Sequence, residues 1–315
     1  MMNKKPTRDR VNPENIDTTP IRRPSWIKVR APSGETVDHL RDMMRSKELH
    51  TVCEEANCPN MGECWGSGTA TFLILGDVCT RRCGFCDIMH GKPQPIDWDE
   101  PERVAQAVQS MGLKHAVITS VDRDDDNLGG AKIFAMVIER IRALQTGCSV
   151  EVLIPDFQGD PEALKILMDA RPEILNHNLE TVKRLFASVQ PSDKLEWSQA
   201  VLVGAKKMDP DVLTKSGVML GLGETIDEIK YMMELLRKWK VDILTIGQYL
   251  QPSRQHLPVS HYYPLVEFEA LREFGLSIGF RWVESNPLVR SSYHAAEQVR
   301  ALSAVHKTLY GADQI

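Results

Sequence analysis

Six of the seven cysteines fall in two tight triplets. The first is Cys53, Cys58 and Cys64 in TVCEEANCPNMGECW, and the second is Cys79, Cys83 and Cys86 in GDVCTRRCGFCDI. A [4Fe–4S] cube usually takes four thiolates, one per iron. Three close thiolates hold three corners and leave one iron to bind something else. Two such triplets suggest two clusters with separate tasks. Structural zinc prefers four ligands in paired spacings, which the x3–x2 spacing of the second triplet fits poorly. The x4–x5 spacing of the first leaves zinc, or thiols completing one shared cluster, open.

Elements must bring these thiols together. TATFLIL (69–75), HAVITSV (115–121), SVEVLIP (149–155), ILNHNLE (174–180), SGVMLGL (216–222) and ILTIGQYL (243–250) are apolar, strand-like runs. Amphipathic stretches separate them. The clearest is 225–240, with Ile226, Ile229, Met233 and Leu236 on one face and Thr225 and Glu228 spaced as a capping box. Six strand–helix units imply an α/β fold with a parallel sheet, a partial (β/α)6 TIM-like barrel. Function in such folds gathers at the carboxyl ends of strands. The second triplet, SVDRDD, NLE, GLGET and QYLQPS all follow strand-like runs and are expected on one rim. Residues 1–68 read as an N-terminal arm with the first triplet, 69–285 as the barrel and 286–315 as a C-terminal extension. The arm is expected to fold over the barrel mouth.

The chain has 315 residues and 42% hydrophobic content, enough for one sizeable core. A net charge of −5 gives no basic excess for nucleic acid or an anionic membrane. The apolar runs are strand-length, too short to span a membrane. Only Cys148 lies outside the triplets, and it reads as a small buried side chain. An odd, clustered count points to metal binding in a reducing compartment rather than a disulfide scaffold. The N-terminus lacks an apolar signal core, and its acidic residues and prolines disfavour a transit peptide. The expected location is cytoplasmic.

The Cys-x3-Cys-x2-Cys loop after a strand, with Phe85 before its last cysteine, resembles the radical S-adenosylmethionine superfamily. CEEANCPNMGECW, VITSVDRDD, NHNLETV, TKSGVMLGLGET, TIGQYLQPS, HLPV and PLVRSSYHA together resemble the lipoyl synthases within it. The resemblance covers roughly residues 50–300, in family order.

That resemblance implies a chemistry. The cluster on Cys79, Cys83 and Cys86 would bind S-adenosylmethionine at its open iron and cleave it to a 5′-deoxyadenosyl radical. The cluster on Cys53, Cys58 and Cys64 would be an auxiliary [4Fe–4S] cluster whose fourth ligand is a serine of Arg290-Ser291-Ser292-Tyr293. Ser292 is the expected ligand, with Ser291 the alternative. On sequence alone, both serines also suit a helix N-cap. The auxiliary cluster would donate two sulfurs to carbons 6 and 8 of an octanoyl-lysine. The implied substrate proteins are lipoyl domains of 2-oxoacid dehydrogenase E2 or the glycine-cleavage H protein. A ferredoxin or flavodoxin would supply electrons, and repair proteins would rebuild the cluster.

The resemblance also places Ser120 at the methionine amino group and Asn178 and Glu180 at the ribose hydroxyls. Lys215 could meet a carboxylate as a point charge. Arg290 and Tyr293 would position the acyl-lysine or brace the cluster. Gly221 and Gly223 read as a tight turn or a close cofactor approach. His256 and His294 read as structural or surface residues. Two departures from the family pattern stand out. Asp126, Asn127 and Leu128 replace a more usual Leu-Pro-Asp, and Asn286 replaces a usual glycine. Two other readings remain: a radical enzyme whose auxiliary cluster only relays electrons, and a non-catalytic iron–sulfur protein.

Overall fold

The computed structural model describes residues 22–28, 35–55, 58, 60–61, 71–126, 128–144, 146–299 and 301–302. Cys64, Thr69, Ala70 and Asn127 therefore lie outside the described residues, as does most of the N-terminal arm.

An eight-stranded sheet runs through the molecule in nearly sequential order. Its strands are β1 (His50–Thr51) and β2 (Thr71–Ile74), then β5 (His115–Ser120), β6 (Ser149–Leu153), β7 (Ile174–Asn176), β8 (Leu213–Leu220), β9 (Ile243–Gln248) and β10 (Trp282–Ser285). A small pair, β3 (Val78–Cys79) with β4 (Met89–His90), stands apart. Only β1 runs antiparallel in the large sheet, pairing His50 with Leu73. From β2 onward every pairing is parallel. Crossover helices connect the strands: α3 (Glu100–Ser110), α4 (Gly129–Ala143), α5 (Pro161–Asp169), α7 (Leu195–Met208), α8 (Ile226–Lys238) and α9 (Leu265–Ser277). Two helices, α1 (Glu35–Ser46) and α2 (Val52–Glu55), precede β2, and a short α6 (Phe186–Val189) precedes α7. Consecutive strands neighbour one another, as in a barrel, and no pairing joins β10 to the opposite edge among the described residues.

The six expected strand–helix units are present. A seventh parallel strand, β10, adds on to β9 through Trp282↔Ile243. Its sequence, WVES, buries only Val283, so it lacks the apolar run that marks the others. The run 174–180 holds only three strand residues, Ile174–Asn176. Beyond them the chain turns, with Glu180 at φ 63° and a single bridge to Val218.

The local signals behave as physical chemistry requires. Thr225 accepts from Glu228 N–H while the Glu228 carboxylate takes Thr225 N–H, closing the capping box that starts α8. Ile229, Met232, Met233 and Leu236 turn that helix's apolar face into the core. Asp160 caps α5 by accepting from Glu162 N–H and Ala163 N–H, with Pro161 opening the helix. Strands β2, β7 and β9 are buried along their whole length, as expected where helices cover a parallel sheet. The interior also carries charge. Lys215 Nζ lies 3.0 Å from Glu151 Oε1, which accepts from Asn176 Nδ2 at 3.0 Å, and His115 Nε2 lies 3.5 Å from Glu151 Oε2. Burial disfavours the Glu151 anion, but Lys215 and His115 outweigh that and hold the carboxyl low.

Candidate functional site

The chain leaves β2 through Leu75 (φ 68°) and Gly76 (φ 89°), a left-handed pair that turns it sharply. The second triplet follows at once. Its loop is held at several points: Gly91 N–H donates to Cys79 O (2.9 Å), Gly84 N–H to Val189 O (2.7 Å) and Leu257 N–H to Gly84 O (3.0 Å). A Cβ on Gly84 would meet the Leu257 side chain at 2.8 Å, so this contact favours glycine. The ring Nε2 of His256 lies 3.1 Å from Cys86 O, and Ser253 Oγ lies 2.9 Å from its Nδ1. His256 thus braces the loop's end.

Cys79, Cys83 and Cys86 line a cavity of about 760 Å³ at the carboxyl ends of the strands. Cys53 and Cys58, from the first triplet, line the same cavity. Asn60 Nδ2 donates to Leu288 O at 2.6 Å, tying the first triplet's segment to the C-terminal turn that carries Arg290, Ser291 and Ser292. Those three residues also face the cavity. Gly247 permits the approach: a Cβ there would lie 2.2 Å from Val289 O and 3.1 Å from Arg290 Nη1. Asn286 sits at this turn without strain. It is absent from the positive-φ positions, and its Oδ1 accepts from Leu288 N–H at 3.4 Å.

Burial pushes the thiols of Cys79, Cys83 and Cys58 above their ordinary range, and the Asp122 charge adds to the effect at Cys79. Those three bare thiols are therefore protonated at neutral pH, and bound iron would displace the protons. The backbone is arranged for the resulting thiolate: Asp122 N–H and Arg81 N–H point at Cys79 Sγ from 3.3 and 3.4 Å. Among the described residues, no three His, Cys, Asp or Glu side chains converge as ligands of a single ion. A cube spreads its sulfur ligands over separate corners and needs no such convergence.

The cavity wall carries polar atoms without protein partners. Ser120 Oγ and Asn178 Oδ1 are both buried and unpartnered, and both residues line the cavity. Such atoms are costly unless a ligand satisfies them, so the wall fits a polar cofactor. Asn178 Nδ2 donates to Glu180 Oε1 (3.0 Å) and to Ser291 Oγ (2.6 Å). Burial pushes the Glu180 carboxyl up to about 7, against the pull of Asn178 and Arg290. Arg290 is itself pulled below its usual range by burial, against the opposing charges of Cys58 and Glu180. Phe85 lines the cavity and packs on the cluster of Tyr249, Leu257 and Val259.

Two expected site residues, Lys215 and Tyr293, lie elsewhere. Lys215 is fully buried against Glu151 and does not line the cavity, because its strand position points it into the barrel floor. The Tyr293 ring stacks on His294 at 3.9 Å and is not part of the cavity wall. The GLGET turn is self-contained: the Glu224 carboxylate takes the N–H groups of Gly221 and Leu222, and a Cβ on Gly221 would lie 2.2 Å from Gln248 Nε2. Cys148 is buried, and its thiol is pushed up to about 11 by burial.

Sequence reasoning missed Arg81, between Cys79 and Cys83. Its buried guanidinium meets Asp122, Asp124, Asp156 and Asp193. Burial pushes Asp122 up to about 6 and Asp193 up to about 7, each against the pull of Arg81. The signal was present as CTRRC beside SVDRDD, but nothing in spacing alone pairs them. Arg23, from the N-terminal arm, also lines the cavity.

Comparison with known proteins agrees with this geometry. The radical SAM superfamily model matches residues 73–236, and the model for the N-terminal domain of lipoyl synthase matches residues 3–58. A lipoyl synthase of Koribacter versatilis is 54% identical over 282 residues, covering 90% of this chain and 93% of that protein. One of Rubrobacter xylanophilus is 57% identical over 276 residues, covering 88% and 86%. Among solved structures, methylornithine synthase superposes with TM-score 0.50 at 14% identity, covering 82% of this chain and 81% of that one. The FeFe-hydrogenase maturase HydG of Carboxydothermus hydrogenoformans also gives 0.50, at 13% identity, covering 73% and 65%. The structural likeness establishes the fold alone, whereas the identity over nearly the whole length establishes kinship. This chain belongs to the lipoyl synthase family of the radical S-adenosylmethionine enzymes.

Proposed function

We propose that this protein inserts two sulfur atoms, at carbons 6 and 8, into an octanoyl group carried on a lysine of a lipoyl carrier protein. The observation that carries the reading is that the second triplet and, from the first, Cys53 and Cys58 face one cavity. When bound, the cluster on Cys79, Cys83 and Cys86 supplies an electron to S-adenosylmethionine, and that on Cys53, Cys58 and Cys64 supplies sulfur. An unactivated C–H bond offers no acid, base or leaving group, so polar side chains have no handle on it. The chain's residues therefore bind, orient and exclude water. Ser120 and Asn178 present unpartnered polar atoms to the adenosyl cofactor, with Glu180 beside them. Val52, Leu73, Phe85, Val218 and Met219 give the cavity apolar wall suited to an alkyl chain.

A relay cluster would not need to face the substrate. The shared cavity favours sulfur donation over electron relay, and its size and unpartnered wall atoms favour an enzyme over a simple electron carrier. Ser292 is the proposed fourth ligand of the auxiliary cluster, because the Ser291 hydroxyl already accepts from Asn178. Arg290 braces that side of the cavity. We place the arm and first triplet in residues 1–68, the catalytic barrel in 69–285 and the serine-bearing extension in 286–315. The substrate proteins are E2 lipoyl domains or the H protein, the reductant a ferredoxin or flavodoxin, and separate proteins rebuild the spent cluster, all in the cytoplasm.

The test is anaerobic reconstitution with iron and sulfide, followed by reductant, S-adenosylmethionine and an octanoyl-lysine peptide. Mass spectrometry reads the peptide and 5′-deoxyadenosine together. Lipoyl peptide from the parent, absent with Cys53→Ala and Ser292→Ala but retained with Ser291→Ala, is expected. Deoxyadenosine without sulfur in the parent's peptide would refute sulfur donation to this substrate.

A further inference from the structure

We propose that Arg81 is a positioning residue that presets the second cysteine loop for its cluster, and that it acts through the bidentate fork of its guanidinium rather than through charge alone. The inference rests on reading that loop as the site of the electron-donating cluster. Arg81 lies between Cys79 and Cys83, and its side chain is only 3% exposed. All five of its N–H donors are used. Nε and Nη2 grip the two oxygens of Asp124 at 2.8 and 2.9 Å. Nη1 and Nη2 grip those of Asp156 at 2.9 and 2.7 Å. Nη1 also donates to Asp193 at 2.9 Å.

The three acceptors come from three places: the loop after β5, the loop after β6 and the segment before α7. One side chain thus fixes the cysteine loop against three others. The backbone beside it is stitched to the same acidic loop. Thr80 N–H and Oγ1 both donate to Asp122 O, at 3.1 and 3.0 Å, and Asp124 N–H donates to Thr80 Oγ1 at 3.1 Å. These contacts hold Cys79 where Arg81 N–H and Asp122 N–H meet its sulfur. Lysine offers three donors on a flexible stem and cannot reproduce two bidentate grips.

Arg81 also stands at a partition. It and Asp122 line both the main cavity and a second cavity of about 430 Å³ on the other side. Loss of the fork would loosen the loop and open that wall toward the second cavity. The ties of Arg81 and Thr80 run from the second triplet's loop to its acidic neighbours, so the effect is expected at that cluster.

The test uses the full chain, reconstituted anaerobically, with Arg81→Lys, Arg81→Ala and Asp193→Ala. Iron per chain is measured, together with the rate of iron loss to a chelator. Electron paramagnetic resonance of the reduced protein is recorded with and without S-adenosylmethionine. Arg81→Lys is expected to lose the S-adenosylmethionine-responsive signal and about half the iron, with that half released about tenfold faster or more. The unresponsive signal of the other cluster should persist. Asp193→Ala, which removes one of the three acceptor side chains and one of the five hydrogen bonds, should fall between parent and Arg81→Lys and serves if the Arg81 variants do not fold. Full iron and a normal response in Arg81→Lys would overturn the role of the fork, as would unchanged release from Asp193→Ala. Loss of both clusters together would overturn the positioning role in favour of a general structural one. No responsive signal in the parent would sink the reading of the loop itself.

Discussion

Glu180 shows how a single residue ties the cavity wall, the Ser291 turn and pH together. Its carboxyl is raised by burial from an ordinary 4.5 to about 7. A raised carboxyl binds its proton more tightly in the folded state. Its stabilising contribution is complete below about 4.5 and is lost as pH rises through about 7. Glu180→Gln cannot ionise, so the cluster-free variant should exceed the parent in stability at pH 8 by about 1 kcal/mol, a figure reduced for cavity water. The difference should vanish or reverse at pH 5. Denaturant unfolding of parent and variant across this range checks it, and parallel curves would count against the burial argument. Asp122 and Asp193 also titrate high, but they contribute equally to both proteins.

Among the elements, β9 lines the cavity with Thr245 and also sets the neighbouring turn by making room for it. It places Gly247 where Val289 O passes, and any Cβ would collide with backbone at 2.2 Å. Gly247→Ala must therefore push the Val289–Ser292 turn away from the sheet. We expect a loss of about 2 kcal/mol or more in stability. Auxiliary-cluster iron should fall while the second triplet keeps its share. Thermal unfolding and iron content with the signals of both clusters read this out; equal loss from both would place the damage elsewhere. The crossover helices are less demanding. The capping box of α8 does its work locally, which is why the sequence displays it so clearly, and the Asp160 cap of α5 is equally local.

At the scale of the molecule, the barrel has a charged floor, and its mouth is lined in part by Arg23. Lys215→Met would leave the fully buried Glu151 carboxylate without its lysine partner, and an uncompensated buried charge costs about 3–5 kcal/mol. The double variant Lys215→Met/Glu151→Leu should recover much of that loss, because an apolar pair often replaces a buried ion pair without penalty. Thermal unfolding of the two variants decides whether the floor is held by the pair or by its surroundings. At the mouth, Arg23 lines the cavity and Ile27 is buried. Truncation of residues 1–30 is expected to lower turnover several-fold while leaving the barrel folded. Unchanged activity and cluster content would exclude a covering role for the arm.

The sequence by itself determined the two triplets, six of the strands, the capping box and the membership of Ser120 and Asn178 in one rim, while Arg290, Ser291 and Ser292 were joined to the first triplet through the family resemblance alone. These are legible because cluster ligation needs close thiols, buried parallel strands need apolar runs, and strand ends of one sheet share a side. Only the tertiary structure decided the rest. It turned Lys215 into the floor against Glu151, because a strand's alternation cannot say how deep in a barrel each residue lies. It added β10, whose edge-like sequence carries almost no burial signal. It also paired Arg81 with acids as far away as Asp193. Contacts across so many residues leave no periodic trace, since their energy comes from groups that meet only after the chain has folded.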